Sequence, residues 1–98
     1  MPNEPSYDHK VSASIAAQNT FSNGVLITKD FSLSLSGTWV ATVFVQRSFD
    51  GGTSWVDVES FTSNGEFVGY EPEEGIYYRF GCKTGGYTSG TVAGRLAQ

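Results

Sequence analysis

The sequence is poor in cysteine, histidine and charged residues, and each shortage argues against a class of protein. The 98 residues include one cysteine, so the chain cannot form an internal disulfide, and one histidine, so it lacks a cluster of histidine and cysteine metal ligands. Only 16% of the residues are charged, whereas 39% are hydrophobic and 14% aromatic, which argues against intrinsic disorder. Six basic and ten acidic residues give a net charge of -4, which argues against nucleic acid as a partner.

Long apolar runs are also missing. No stretch approaches the roughly 20 apolar residues of a transmembrane helix, so we expect no membrane partner. The first ten residues, MPNEPSYDHK, carry prolines and acidic residues where a secretory signal would be basic and then apolar, so we expect no Sec export. We interpret residues 1–9 as a flexible N-terminal arm, either frayed or lying on a partner, and residues 10–98 as one domain.

Alternation of apolar and polar residues dominates the rest of the chain. Residues 31–36, FSLSLS, place three large apolar side chains on one face of a strand and three serines on the other. No segment of helical length repeats with a period of 3.6 residues. Seven further strands are predicted over residues 11–17, 24–27, 39–47, 56–61, 65–70, 76–82 and 91–96.

Short strands at this spacing predict an all-β fold, a single antiparallel β-sandwich of the Ig-like or fibronectin type, with a jelly roll as the alternative. Two facing sheets would share one set of inward side chains as the core. That set is predicted to be Ile15, Phe31, Leu33, Leu35, Val43, Val58, Tyr78, Phe80 and Val92.

Turn-forming residues separate the predicted strands. Gly51-Gly52 and Asn64-Gly65 each predict a β-hairpin, the second with a type I′ turn. The polar segment 71–75, EPEEG, predicts a corner that ends a strand. Tyr78 follows this corner and resembles the tyrosine corner of Ig-like sandwiches, whose hydroxyl would bond to upstream backbone.

Residues 48–55, SFDGGTSW, fit the pattern S-x-D-x-G-x-x-W and resemble an Asp-box, a hairpin repeat found in sialidases and many other β proteins. In this pattern the aspartate accepts hydrogen bonds from turn amides, glycine adopts a positive φ and the aromatic ring packs under the loop. We interpret the motif as a structural hairpin and not as an active site. Its residues are Ser48, Asp50, Gly52 and Trp55.

No set of residues predicts catalysis, so we expect a protein that is not an enzyme and has no cofactor or metal. A nucleophile activated by histidine would depend on His9, in the predicted arm. Asp57 and Glu59 share a predicted strand face, as paired carboxylates would, but a small sandwich offers them no cleft. The acidic residues of segments 50–59 and 71–74 are interpreted as solvated loops, with a weak calcium site as the less favoured alternative.

Aromatic residues near the predicted turns are the candidates for an interaction surface. Exposed rings stack on sugars or anchor protein interfaces. The residues singled out are Phe49, Tyr70 and Tyr87.

Residues 35–96 resemble a small β-sandwich domain of structural proteins from tailed bacteriophages. The segments that carry the resemblance are GTW at 37–39, VQRSFDGG at 45–52, WVDV at 55–58, YYRFG at 77–81 and YTSGT at 87–91. The resemblance implies a non-enzymatic virion protein, foremost a capsid decoration or cement protein, made in the host cytoplasm and placed on the capsid surface.

Its implied partners are the major capsid protein or other virion proteins, together with sister copies in a dimer or trimer. Residues 2–18 and one sheet edge are expected to make these contacts. A glycan- or receptor-binding module of a head or tail fibre, or a head-tail connector component, is the alternative.

Overall fold

The computed structural model describes residues 9–98, and every regular element in that range is a β-strand, which confirms the all-β prediction. The predicted arm, residues 1–9, lies outside the described residues except for His9. The strands are β1 (Lys10–Ile15), β2 (Thr20–Phe21), β3 (Val25–Ser36), β4 (Trp39–Ala41), β5 (Val43–Ser48), β6 (Val56–Phe61), β7 (Gly65–Cys82), β8 (Tyr87–Gly90) and β9 (Val92–Ala97).

All strand pairs are antiparallel. Seven strands form one sheet in the order β1-β9-β3-β7-β5-β6, with β2 paired to β7 outside this path. Strands β4 and β8 form a separate two-stranded sheet. The predicted strand at 39–47 is divided at Thr42, whose amide donates to the carbonyl of Gly86 at 2.7 Å instead of continuing the strand.

Strand β7 is 18 residues long, and its pairing with β3 is interrupted in the middle. The prediction that segment 71–75 ends a strand is wrong, because residues 72–75 form a bulge opposite Thr28 alone, after which the pairing with β3 resumes. Lys29 (φ 63°) and Gly75 (φ 81°) adopt left-handed conformations at this bulge. Such irregularities bend a strand strongly. We infer that the continuous sheet folds over at this bulge into two layers, with one half of β7 in each. This arrangement is compatible with a small β-sandwich.

The layers meet where Phe80 of β7 packs against Gly94 of β9. A Cβ atom added to Gly94 would lie 2.3 Å from the Phe80 ring, so the ring fills the space that a side chain would take. Phe31 and Tyr78 also join the layers, with ring centroids 4.7 Å apart. All predicted core residues except Val58 are buried.

Val58 is 42% exposed, so its prediction as a core residue is wrong. Val45 pairs with Glu59 and Gln46 with Asp57, which leaves Val58 as an extra, unpaired residue in β6. Strand β6 is also the last strand of its sheet. A bulge on an edge strand breaks the alternation on which the prediction depended.

The hairpin predicted at Asn64-Gly65 is also wrong. Strand β6 pairs with β5, whereas the first half of β7 pairs with β3, so the chain crosses from one part of the sheet to another. Asn64 stabilises this crossing, because its side chain donates to the carbonyl of Gly37 at 2.8 Å and accepts from the indole of Trp39 at 2.7 Å. Asparagine and glycine favour a tight turn and a short crossing alike, so this residue pair did not distinguish a hairpin from a crossing.

Candidate interaction surface

The hairpin between β5 and β6 is organised by Asp50. One carboxylate oxygen accepts from the amides of Thr53 at 3.1 Å and Ser54 at 2.9 Å, and from the hydroxyl of Ser48 at 2.7 Å. The other accepts from the Ser54 hydroxyl at 2.6 Å. The Ser48 hydroxyl in turn accepts from the amide of Gly52 at 2.8 Å. Hydrogen bonds from Ser54 and then Ser48 hold the pKa of Asp50 well below its usual value.

Replacing Asp50 with alanine is expected to loosen this turn, because the amides of Thr53 and Ser54 lose their acceptor. Asp50→Asn keeps one acceptor oxygen and should have a smaller effect. Amide hydrogen exchange at residues 53 and 54 measures the change, with faster exchange expected in the order wild type, Asp50→Asn, Asp50→Ala. Equal exchange in all three proteins would contradict the role assigned to the carboxylate.

Trp55 closes the same hairpin and reaches a cluster that the sequence analysis missed. Its indole nitrogen donates to the carbonyl of Gly52 at 3.1 Å. Its ring lies on one face of the Arg79 guanidinium, 4.4 Å from Cζ, and the Phe21 ring lies 4.0 Å from the same atom. The Nε of Arg79 donates to the side-chain oxygen of Gln46 at 2.8 Å, and burial lowers the pKa of Arg79.

The cluster continues along β5 and β6. Gln46 donates to Asp57 at 2.9 Å, and Lys83 forms an ion pair with Asp57 while its ammonium lies 4.3 Å from the Phe44 ring centroid. The hydrogen bond from Lys83, followed by the one from Gln46, lowers the pKa of Asp57. Asp57 therefore binds Gln46 and Lys83, whereas the sequence pattern paired it with Glu59.

A second polar network surrounds Glu71, whose side chain is only 1% exposed. Arg47 donates to both of its carboxylate oxygens, at 2.9 and 2.7 Å. The Tyr78 hydroxyl donates at 2.8 Å and the amide of Glu73 at 3.0 Å. The Tyr78 hydroxyl was expected to bond to upstream backbone. This part of the resemblance is wrong, because the hydroxyl donates to the side-chain carboxylate of Glu71.

The network shifts the pKa values of its members. Burial alone would raise the pKa of Glu71, but hydrogen bonds from Tyr78, Glu73 and Arg47, with the charge of Arg47, lower it overall. Burial, and then the hydrogen bond to Glu71, raises the pKa of Tyr78 to about 12. Glu71 is therefore a buried carboxylate, and the interpretation of segment 71–74 as a solvated loop is wrong for this residue.

Two of the three predicted surface aromatics are exposed. Phe49 is 58% and Tyr70 60% exposed. The Phe49 ring lies 4.6 Å from Cζ of Arg47, which binds Glu71, the neighbour of Tyr70. Tyr87 lies apart from them, since it pairs with Ala41 of β4.

Tyr87 is half-buried, and its hydroxyl donates to the carbonyl of Gly90 at 2.7 Å. Its position on β8 and its internal hydrogen bond separate it from Phe49 and from Tyr70. The three aromatics therefore do not form one patch.

The first half of β7 is a free sheet edge. Residues 65–71 pair with β3 on one side, and β5 joins β7 only from Tyr77 to Gly81, so no described strand pairs with the other side of 65–71. Val68, in the middle of this edge, is 74% exposed, the highest value among the large hydrophobic residues described as exposed. The alternation in segment 65–70 could have predicted that Val68 is exposed, since Val68 and Tyr70 share the face opposite Phe67, but it could not have predicted the unpaired edge.

An open depression of about 470 Å³ lies over β1, β9 and β3, lined mainly by serine, alanine and glycine, with one charged residue, Arg95. Between residues 9 and 98, no three histidine, cysteine, aspartate or glutamate residues are grouped so that they could hold a metal ion. Cys82 is buried, and burial raises the pKa of its thiol.

Within the part of the chain that the structure describes, no helix has the length and apolar character needed to cross a membrane.

Models of known protein families, curated proteins and solved structures were compared with the chain, and none of them matches it.

Proposed function

We propose that the protein is a non-enzymatic structural component of a tailed-bacteriophage virion that decorates the capsid surface and acts through contacts with other proteins. The observation that carries the proposal is the free edge of β7, where Val68 and Tyr70 are exposed. Unpaired edge strands with exposed apolar side chains pair readily with other chains. The likeness of residues 35–96 to phage sandwich domains supports the virion as the setting.

The environment of the acidic residues supports a structural role. Asp50, Asp57 and Glu71 each accept hydrogen bonds from their neighbours, and their pKa values are lowered. A general acid needs a raised pKa and access to a substrate. These carboxylates therefore suit the stabilisation of the fold, and the sheet edge suits the binding of the major capsid protein or another virion protein.

The number of copies in a purified particle tests the proposal. Quantitative mass spectrometry of particles, with the major capsid protein as the internal standard, is expected to find hundreds of copies distributed over the shell. Particles without the protein should lose their genome at a lower temperature than complete particles, and added protein should restore them. A dozen copies or fewer at one vertex would contradict decoration and favour the head-tail connector.

A glycan- or receptor-binding module is the second candidate, because the aromatic rings of Phe49 and Tyr70 are exposed. Exposed aromatic rings stack on sugars. A glycan array separates the two candidates: specific binding that Tyr70→Ala removes and Val40→Ala preserves would favour the second.

A further inference from the structure

The free edge of β7 is complementary to a second copy of itself. We propose that two copies of the chain pair antiparallel along residues 65–71, with Val68 opposite Val68 on a two-fold axis, and so join their sheets. The placement of this dimer in a virion rests on the proposed function, whereas the pairing itself does not. The partner is a second copy of this chain, and the surface is the edge of β7.

The two end strands of the seven-stranded sheet, β6 and β1, are poorly suited to such pairing. Strand β6 carries the bulge at Val58 and the carboxylates Asp57 and Glu59, and bulges and charges protect an edge from pairing. In β1, the face that carries Lys10 has Ser12 and Ser14 as its other residues, so it offers no large apolar side chain. Along residues 65–70, Glu66 is the single charged residue and no lysine is present.

The register follows from the side chains of the edge. With Val68 opposite Val68, the outward face places each Tyr70 opposite the other copy's Glu66, so the tyrosine hydroxyl can donate to the carboxylate. The inward face places each Phe67 opposite Gly69, whose own inward side is covered by the Phe31 ring of the same chain, so no bulky side chain opposes Phe67 directly. A slip that centres the axis on Glu66 would place two carboxylates opposite each other, which is unfavourable.

A cysteine at position 68 tests this register. Residues directly opposite in an antiparallel pair have Cβ atoms about 4.5–5.5 Å apart, close to disulfide range. The native Cys82 is buried, so Val68→Cys in the full chain reports on position 68. Oxidation with copper phenanthroline should convert most of it to a covalent dimer that dithiothreitol reverses. Val40→Cys, on β4 and also exposed, is the matched control and should stay largely monomeric.

Analytical ultracentrifugation tests the dimer without a cross-link. Val68→Lys brings two ammonium groups together on the axis, and we expect the dissociation constant to rise at least about tenfold. Val58→Lys, on the bulged edge, should leave it unchanged, and circular dichroism should show that both variants are folded. A wild-type chain that stays monomeric at all concentrations, or equal cross-linking of both cysteine variants, would overturn the proposal. A dimer that does not bind capsids would leave the pairing intact and overturn the decoration role instead.

Discussion

Glu71→Gln is expected to lower the free energy of unfolding by about 3 kcal/mol, because removing one partner of a buried ion pair leaves the other uncompensated. Glu71 is the acceptor for Arg47, for the Tyr78 hydroxyl and for the amide of Glu73. Glutamine has a similar shape but has no charge, and its amide nitrogen cannot accept a hydrogen bond. Arg47 would therefore remain half-buried with one neutral acceptor.

Urea-induced unfolding of the wild type and the variant measures the loss. Glu74→Gln is the matched control, because Glu74 lies on the same strand but is exposed, and its effect should stay within about 0.5 kcal/mol. A Glu71→Gln variant as stable as Glu74→Gln would show that the network around Glu71 does not stabilise the fold.

The same network predicts how stability depends on pH. The pKa of Glu71 is lower in the folded chain than in the unfolded chain. The stability it contributes is therefore complete above its unfolded pKa, about 4.3, and is lost as the pH falls through the folded value. Glu71→Gln should lose stability less steeply on acidification than the wild type. The loss of stability with falling pH that remains in the variant is expected to come from Asp50 and Asp57, whose pKa values are also lowered.

Gly94→Ala is expected to cost about 2 kcal/mol, because the added methyl group would enter the space of the Phe80 ring where the layers meet. Both residues are buried in the interior, so the ring has little freedom to move away. Ala93→Ser, at the neighbouring exposed position, should have almost no effect and controls for changes in the strand itself.

A double variant identifies the cause of this loss. Phe80→Leu alone leaves a cavity, whereas in Gly94→Ala/Phe80→Leu the new methyl group occupies part of that cavity. The double variant should therefore lose at least about 1 kcal/mol less stability than the sum of the single losses. Additive losses in thermal or urea unfolding would contradict direct contact between the two positions.

Alternation was enough to predict the fold class and most of the core. Residues 31–36 lie in a strand whose Phe31, Leu33 and Leu35 are buried, because every second side chain of a regular strand faces the same layer. The prediction failed where the pairing is irregular. Val58 lies in a bulge, and segment 72–75 bulges without ending β7. The register is determined by how two strands pair, so it cannot be predicted from the sequence of one strand alone.

The polar networks depend on residues that are distant in the sequence. Asp50 binds within four positions of itself, so its role could be predicted from the local pattern. Glu71 is stabilised by Arg47, 24 residues away, and Arg79 by Gln46, 33 residues away. Neither pairing has a local signal, because it depends on which strands become neighbours. The free edge of β7 was missed for the same reason, since a strand is at an edge only when no other strand of the fold pairs with one of its sides.

The bend of β7 has a consequence for how the molecule folds. One strand pairs with β2, β3 and β5 and contributes to both layers. Within residues 9–98, each layer therefore contains a segment that also completes the other, so we expect that neither layer is stable alone. We expect a cooperative, two-state transition and slow folding, because nearly every pairing must wait for distant parts of the chain to meet.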